Sequence, residues 1–229
     1  MDIQRLANRP HHYGEVMQRS LIAPVAYRLL FAALGLVAVF TQLFGVTVAK
    51  GYGVVNFFSY FTNLANLIIA VVFIVSAIRL LRNHTPSLVD VGIRGGAVVY
   101  IMFVGLVFNT LLRDVDLGDL IPWVNLIVHF LIPIVALIDW ILWPPRRVLP
   151  FRVTFIWMIF PAVYVLYSLV RGAITGFYPY PFFNPGAQGG YGGVAAYCAV
   201  MLVGFFVLAL VVRWIGNARS PERRARLAN

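Results

Sequence analysis

Residues 57–79 read FFSYFTNLANLIIAVVFIVSAIR, in which every residue between Asn66 and Arg79 is apolar except Ser76. Crossing the hydrocarbon core of a bilayer, about 30 Å thick, takes a helix of roughly 20 such residues. The backbone polar groups of a lipid-exposed segment must be satisfied within it, and the period-2 alternation of a membrane β-barrel is absent. The stretch therefore predicts a transmembrane α-helix.

Five more apolar runs accompany this one, in a chain that is 61% hydrophobic, 11% charged and has a mean hydropathy of +0.86. They predict an all-α polytopic membrane protein with six transmembrane helices. A polar segment at 1–21 precedes a six-helix domain at 22–215, and a basic tail at 216–229 follows it. The other five runs lie at about 22–46, 95–113, 121–142, 153–171 and 192–215.

The orientation follows from the basic residues near the ends of the runs, which favour the cytoplasmic side. Fourteen of them lie before the first run, around the second and fourth connections and after the last run. The other side has only three, Lys50, Arg113 and Arg171. The asymmetry predicts that both termini are cytoplasmic.

The net charge of +10 resembles that of a nucleic-acid-binding protein, but its residues occupy short segments between membrane spans. They are topology signals, so we expect no nucleic-acid partner. The one cysteine, Cys198, and the one histidine within a span, His129, supply too few ligands for a haem or a metal site. We predict neither a cofactor nor a metal.

Polar side chains gather at the start of the second predicted helix. Ser59, Thr62, Asn63 and Asn66 follow the spacing i, i+3, i+4 and i+7, which places them on one helix face. Because such groups would be unsatisfied against lipid, this face must point into the bundle. Either they form a functional site or they hydrogen-bond neighbouring helices, and for Asn63 and Asn66 the two alternatives remain open.

The fourth predicted helix carries Asn125 and His129 one turn apart. Thr62 and His129 lie roughly five and eight residues from the ends of their helices on the same side, so their depths differ by only a few Å at about 1.5 Å per residue. A hydroxyl and an imidazole at equal depth suit nucleophilic catalysis. A structural role for a buried histidine is the alternative.

These two segments resemble the androgen-induced membrane protein family. The resemblance rests on Tyr60 and Thr62 with the asparagines that follow, and on Trp123, Asn125, His129 and Pro133; a Tyr-Pro pair recurs as Tyr178 and Pro179. Its members hydrolyse fatty-acid esters of hydroxy fatty acids with an intramembrane threonine and histidine. The use of Arg rather than Lys and the many Ala, Gly and Val residues are similar to those of a bacterial relative, which implies the inner membrane.

By this resemblance Thr62 is the nucleophile, His129 is the general base, and a lipid or fatty-acid ester in the membrane is the substrate. Asn63, Asn66, Asn125 and Ser59 are candidates for binding the substrate or its oxyanion. A non-catalytic lipid-binding or interaction protein is the alternative function. The connection at 176–193, rich in aromatic residues, Pro and Gly, is either a lid over the site or an anchor at headgroup depth.

Overall fold

The computed structural model describes residues 9–116 and 118–228, without the side chains of 9–20, 226 and 228. In these residues six helices are long and apolar enough to cross a membrane, which confirms the predicted all-α, six-helix membrane fold. Of the predicted N-terminal segment 1–21, residues 1–8 lie outside the described part. The cytoplasmic placement of both termini stays a prediction.

In the described part of the chain two short α-helices accompany the six spans. In chain order the helices are α1 Arg9–Gln42, which continues as a π-helical turn at Leu43–Val48, α2 Val54–Phe58, α3 Phe61–Leu81, α4 Leu88–Leu112, α5 Pro122–Leu142, α6 Val153–Thr175, α7 Tyr191–Arg219 and α8 Pro221–Ala228.

The third span begins seven residues before the predicted start at residue 95 because a polar cap extends it. Ser87 accepts a hydrogen bond from the Asp90 N–H, and the Asp90 carboxylate accepts one from the Ser87 N–H, which forms a capping box. Asp90 also pairs with Arg79 at the end of α3. The cap and the ion pair together fix the turn between α3 and α4.

Small residues let the helices approach closely. A Cβ atom at Gly95 would lie 2.5 Å from the Trp157 ring, and one at Gly96 would lie 2.8 Å from it. The Trp157 indole N–H donates to the Gly92 carbonyl at 2.8 Å. Glycine at these positions therefore allows α6 to pack against the backbone of α4, a common device where lipid supplies no hydrophobic driving force.

A buried ionic cluster joins α1, α4 and α5. The fully buried carboxylate of Asp139 pairs with Arg28 Nε at 2.7 Å and with Arg94 Nη2 at 3.2 Å. Arg28 lies inside the first apolar run, and nothing in the sequence connects it with Asp139. Unpaired, any of these charges would be costly in lipid, so the cluster fixes the relative positions of three helices.

Three connections meet at one end of the bundle. They comprise residues 49–60, residues 113–116 with 118–121, and residues 176–190. Lys50 pairs with Asp119 at 2.8 Å across the first two. The rings of Tyr60 and Tyr180 join the first to the third, with centroids 5.6 Å apart. We call this end the site end.

Candidate functional site

The polar stripe of the second span is interrupted by a break in the helix. α2 ends at Phe58, Ser59 caps it, Tyr60 is extended, and α3 begins at Phe61. The Ser59 hydroxyl donates to the Val55 carbonyl at 2.7 Å, a local bond that competes with the continuing helix. The expectation that Ser59 shares a continuous helix face with Thr62 was therefore wrong.

A tyrosine from α6 stabilises this break. The Tyr164 hydroxyl donates to the Ser59 carbonyl at 2.9 Å and accepts the Phe61 N–H at 3.2 Å. The first N–H groups of a helix have no partner within it, and a buried one is costly unless it is bonded. Tyr164 thus serves as a cap for α3, although it is 103 residues away from Phe61 in the chain.

Thr62 is the second residue of α3 and is only 8% exposed. Its Oγ1 lies 3.4 Å from Nε2 of His129 and 3.2 Å from the hydroxyl of Tyr180. Its backbone N–H donates to the same Tyr180 hydroxyl at 3.2 Å. The structure therefore brings together the threonine and the histidine predicted from the sequence.

Asn125 determines the tautomer of His129. Nδ1 of the ring lies 2.6 Å from Oδ1 of Asn125 and 3.2 Å from its backbone carbonyl oxygen. Both are acceptors, so Nδ1 carries the proton and Nε2 presents a lone pair to Thr62. His129 also stacks on Phe108 with ring centroids 3.8 Å apart and planes 17° apart, which fixes the plane of the imidazole.

Tyr180 is the site residue that sequence reasoning missed. Because the Thr62 hydroxyl donates to Nε2 of His129, the Tyr180 hydroxyl donates to Thr62 Oγ1 while it accepts the Thr62 N–H. Burial raises the pKa of Tyr180 to about 12, so the hydroxyl keeps its proton at neutral pH. The Tyr-Pro pair singled out in the sequence was 178–179, and nothing local distinguished it from the pair at 180–181.

The connection at 176–193 folds inward over Thr62. Tyr180, Phe182 and Phe183 are all buried, and the last two belong to a short 3-10 helix at Pro181–Phe183. The Tyr180 and Phe182 rings stack with centroids 5.0 Å apart. Of the two alternatives for this connection, the contacts with Thr62 favour a covering segment, because its central aromatic residues pack on the bundle.

The other polar candidates occupy different positions. Asn66 donates to the carbonyls of Thr62 at 2.9 Å and Val128 at 3.3 Å, so its amide hydrogens join α3 to α5. Asn63 donates to the Phe57 carbonyl at 2.8 Å and stays half-buried beside a cavity. The Ser59 hydroxyl shares a hydrogen bond of 2.8 Å with the Tyr167 hydroxyl. It makes no hydrogen bond to Thr62 or His129 in the described part of the chain.

Among the residues that the structure describes, three π-helical turns lie near the site. They are Leu43–Val48 in the first span, Phe108–Leu112 in α4 and Ile127–Leu131 in α5, which contains His129. A π-turn adds a residue to the helix and redirects the side chains that follow, and such turns are common at functional sites. Nothing in the apolar pattern of the sequence indicates them.

Two cavities, each of about 340 Å³, meet at Thr62, and both volumes fall in the range of small-molecule sites, about 300–1,000 Å³. The apolar cavity lies between α4, α6 and α7, and its wall includes Phe103, Val107 and Phe205. The polar cavity opens at the site end. Its wall includes Gln42, Asn56, Asn63, Asn125 and His129.

Only one charged residue, Asp119, lines either cavity among the described residues, and it is paired. It accepts hydrogen bonds from Lys50 at 2.8 Å and from the Tyr52 hydroxyl at 2.7 Å. The bond from Lys50 holds the pKa of the Asp119 carboxyl below its usual value. The polar cavity therefore offers mostly neutral hydrogen-bonding groups.

In the described part of the chain no three His, Cys, Asp or Glu side chains are grouped so that they could hold a metal ion. Comparison with protein-family models, curated proteins and solved structures finds no match.

Proposed function

We propose that this protein is an intramembrane hydrolase of lipid esters, with Thr62 as nucleophile and His129 as general base. The observation that carries the proposal is the relay Thr62, His129, Asn125, in which the unprotonated Nε2 faces the hydroxyl. The separation of 3.4 Å exceeds the range of about 2.6–3.2 Å of an engaged pair, and this distance often tightens only when substrate binds.

In the first half-reaction Thr62 Oγ1 attacks the ester carbonyl carbon while His129 Nε2 takes the hydroxyl proton. The tetrahedral intermediate then collapses, the bond from the carbonyl carbon to the alcohol oxygen breaks, and the leaving oxygen receives the proton from Nε2. The alcohol departs and the acyl group remains as an ester of Thr62. Asn125 keeps the other ring nitrogen protonated throughout.

In the second half-reaction a water molecule attacks the acyl-threonine, and His129 takes a proton from it. When the bond to Oγ1 breaks, that proton returns to Thr62 and the fatty acid leaves. Ester and water have become acid and alcohol, and the enzyme is restored. The polar cavity is the route by which water reaches His129.

Two features would stabilise the negatively charged oxygen of the tetrahedral intermediate. Thr62 lies in the first turn of α3, where the positive end of the helix dipole stabilises nearby anions. Asn63 and Asn125 line the polar cavity beside Thr62, and their amides are the proposed groups for binding the substrate or its oxyanion. Asn66 is a poorer donor, because its amide already bonds two carbonyl groups.

Lipids of the surrounding membrane are the proposed source of substrate. The resemblance to the androgen-induced membrane protein family implies fatty-acid esters of hydroxy fatty acids, and it implies a bacterial inner membrane. With both termini in the cytoplasm, the site end faces the outer leaflet.

The test is hydrolysis of a panel of long-chain esters by the purified full-length protein. Thr62→Ala is expected to abolish hydrolysis, Thr62→Ser to retain part of it, and His129→Ala to lower the rate by about 10²–10⁴-fold. Thr154→Ala is the matched control, because Thr154 is fully buried but donates to the Phe151 carbonyl, away from the site. A folded wild-type protein that binds lipid but hydrolyses no ester would favour the lipid-binding alternative instead.

A further inference from the structure

The two cavities open onto different surroundings. On the wall of the apolar cavity, Ala162 of α6 and Ala199 and Leu202 of α7 are exposed, and Leu202 is 52% exposed. On a membrane-spanning bundle this surface faces hydrocarbon. The wall of the polar cavity includes the exposed Tyr52 and Asp119 from connections at the site end. One cavity thus opens between two helices to lipid, and the other opens beside the loops.

His129 lines the polar cavity but not the apolar one, whereas Thr62 lines both. In the proposed reaction the leaving oxygen must receive its proton from Nε2 of His129, so the alcohol part of the ester must leave on the side where His129 lies. The carbonyl carbon is bonded to Thr62 at the junction. The acyl chain therefore lies in the apolar cavity.

The wall of the polar cavity indicates what kind of alcohol it accepts. Amides and hydroxyl groups stand among apolar side chains on this wall, more of them than on the wall of the apolar cavity, and the one charge, Asp119, is already paired with Lys50. Within the described residues, Asn63 Oδ1, Asn125 Nδ2 and the Thr47 hydroxyl make no hydrogen bond. A second long hydrocarbon chain placed against these three groups would leave them unsatisfied, at a cost for each. An uncharged alcohol with several hydroxyl groups would satisfy them.

We infer that the substrate is a single-chain acyl ester of a small polyol, such as a monoacylglycerol. Its acyl chain enters the apolar cavity from the bilayer between α6 and α7, and its polyol occupies the polar cavity. This inference rests on the proposed function, and it specifies the substrate class and the orientation in which the ester binds.

The first experiment compares esters that differ in one part only. Wild type is assayed with palmitoylglycerol, octanoylglycerol and the palmitic ester of hydroxystearic acid. Palmitoylglycerol is expected to have a kcat/KM at least about tenfold above that of the hydroxystearate ester. A preference of that size for the hydroxystearate ester would overturn the inference but leave the proposed hydrolase intact.

Variants of the two walls test the orientation. Ala199→Phe narrows the apolar cavity and is expected to shift preference from palmitoyl to octanoyl by about tenfold, with the alcohol preference unchanged. Thr47→Leu in the polar cavity is expected to reduce discrimination between the two alcohols and not between the acyl chains. Val203→Phe is the matched control, because Val203 is 62% exposed on α7 and outside both walls. The proposed orientation would be contradicted if Ala199→Phe changed the alcohol preference and Thr47→Leu changed the acyl-chain preference.

A second experiment does not depend on turnover. A monoalkyl glycerol ether with a photoreactive diazirine at the chain end is crosslinked to the full-length protein in nanodiscs, and the labelled peptides are identified by mass spectrometry. Labels are expected within 161–165 and 198–205, which line the apolar cavity. Labels concentrated in 42–56 or 119–125 would place the chain in the polar cavity and refute the inference, whether or not the protein hydrolyses esters.

Discussion

Replacing Tyr180 by Phe removes one hydroxyl, and the chain offers a matched comparison in Tyr164→Phe. Both tyrosines are 6% exposed, and both hydroxyls make two hydrogen bonds at the break before α3. Tyr180 bonds the N–H and the Oγ1 of Thr62. Tyr164 bonds the N–H of Phe61 and the carbonyl of Ser59, and its hydroxyl makes no bond to Thr62.

The effect on stability should be similar in the two variants. A buried hydrogen bond contributes about 0.5–1.5 kcal/mol net, so the loss of two lowers the free energy of unfolding by about 1–3 kcal/mol. Each variant also leaves a buried N–H without its acceptor. Thermal unfolding in detergent measures this loss, and the two melting temperatures should fall together.

The effect on activity should differ, because of the two tyrosines only Tyr180 bonds Thr62 Oγ1, the proposed nucleophile. Hydrogen bonds to charged groups contribute about 1.5–3 kcal/mol against about 0.5–1.5 for neutral ones. If charge develops on Oγ1 as His129 removes its proton, the difference of about 1–2 kcal/mol corresponds to about a 5- to 30-fold lower kcat for Tyr180→Phe. Tyr164→Phe should keep most of the activity per folded molecule.

The measurement is the initial rate with a palmitoyl ester, normalised to folded protein, for both variants and wild type. Equal losses of kcat in the two variants would show that the hydroxyls act only through the fold. Full activity of Tyr180→Phe would also refute the argument, because the bond to Oγ1 would then have no part in the reaction.

Three further outcomes are expected. Asn125→Leu should lower kcat by about tenfold, because His129 Nδ1 keeps its bond to the backbone carbonyl of residue 125. This loss is smaller than the loss of about 10²–10⁴-fold expected for His129→Ala. An unchanged steady-state rate would contradict the prediction. Asp139→Asn should destabilise the fold by about 3–5 kcal/mol, since two buried guanidinium groups lose their carboxylate, and an unchanged melting temperature would count against it. Reporter fusions at 85, 148 and 225 should be cytoplasmic and those at 50 and 185 external; an external C-terminus would reverse the topology.

The spans could be predicted from sequence because lipid imposes one strong rule on each of them separately. A run of apolar residues long enough to cross the bilayer has to be a helix, whatever its neighbours are. The equal depth of Thr62 and His129 followed from the same rule and from helix rise. The predicted spans therefore placed the two residues near one level before any packing was known.

The break before α3 could not be predicted, because the groups that stabilise it are distant in the chain. Tyr164 lies 103 residues from Phe61, and Tyr180 lies 118 residues from Thr62. Without these hydroxyls, the segment 57–79 has every local feature of one continuous helix. The error about Ser59 and the omission of Tyr180 have this common cause.

Arg28 was missed for a similar reason. It stands alone in an apolar run, and its partner Asp139 follows 111 residues later. The sequence indicates that Asp139 needs a cation, but the partner depends on how α1 packs against α5. Packing also decided which asparagines face the polar cavity, since Asn63 and Asn66 are equally polar in sequence and only Asn63 lines it.

We have proposed that Thr62 is a nucleophile activated by His129, and covalent labelling is the sharpest test of that role. The purified protein is treated with a long-chain alkyl fluorophosphonate, which an activated hydroxyl attacks with loss of fluoride, and the modified peptide is identified by mass spectrometry. We expect an adduct on Thr62 in wild type, none in Thr62→Ala, and labelling slowed by about 10²–10⁴-fold in His129→Ala. An adduct on any other residue, or hydrolysis that persists undiminished in Thr62→Ala, would contradict it.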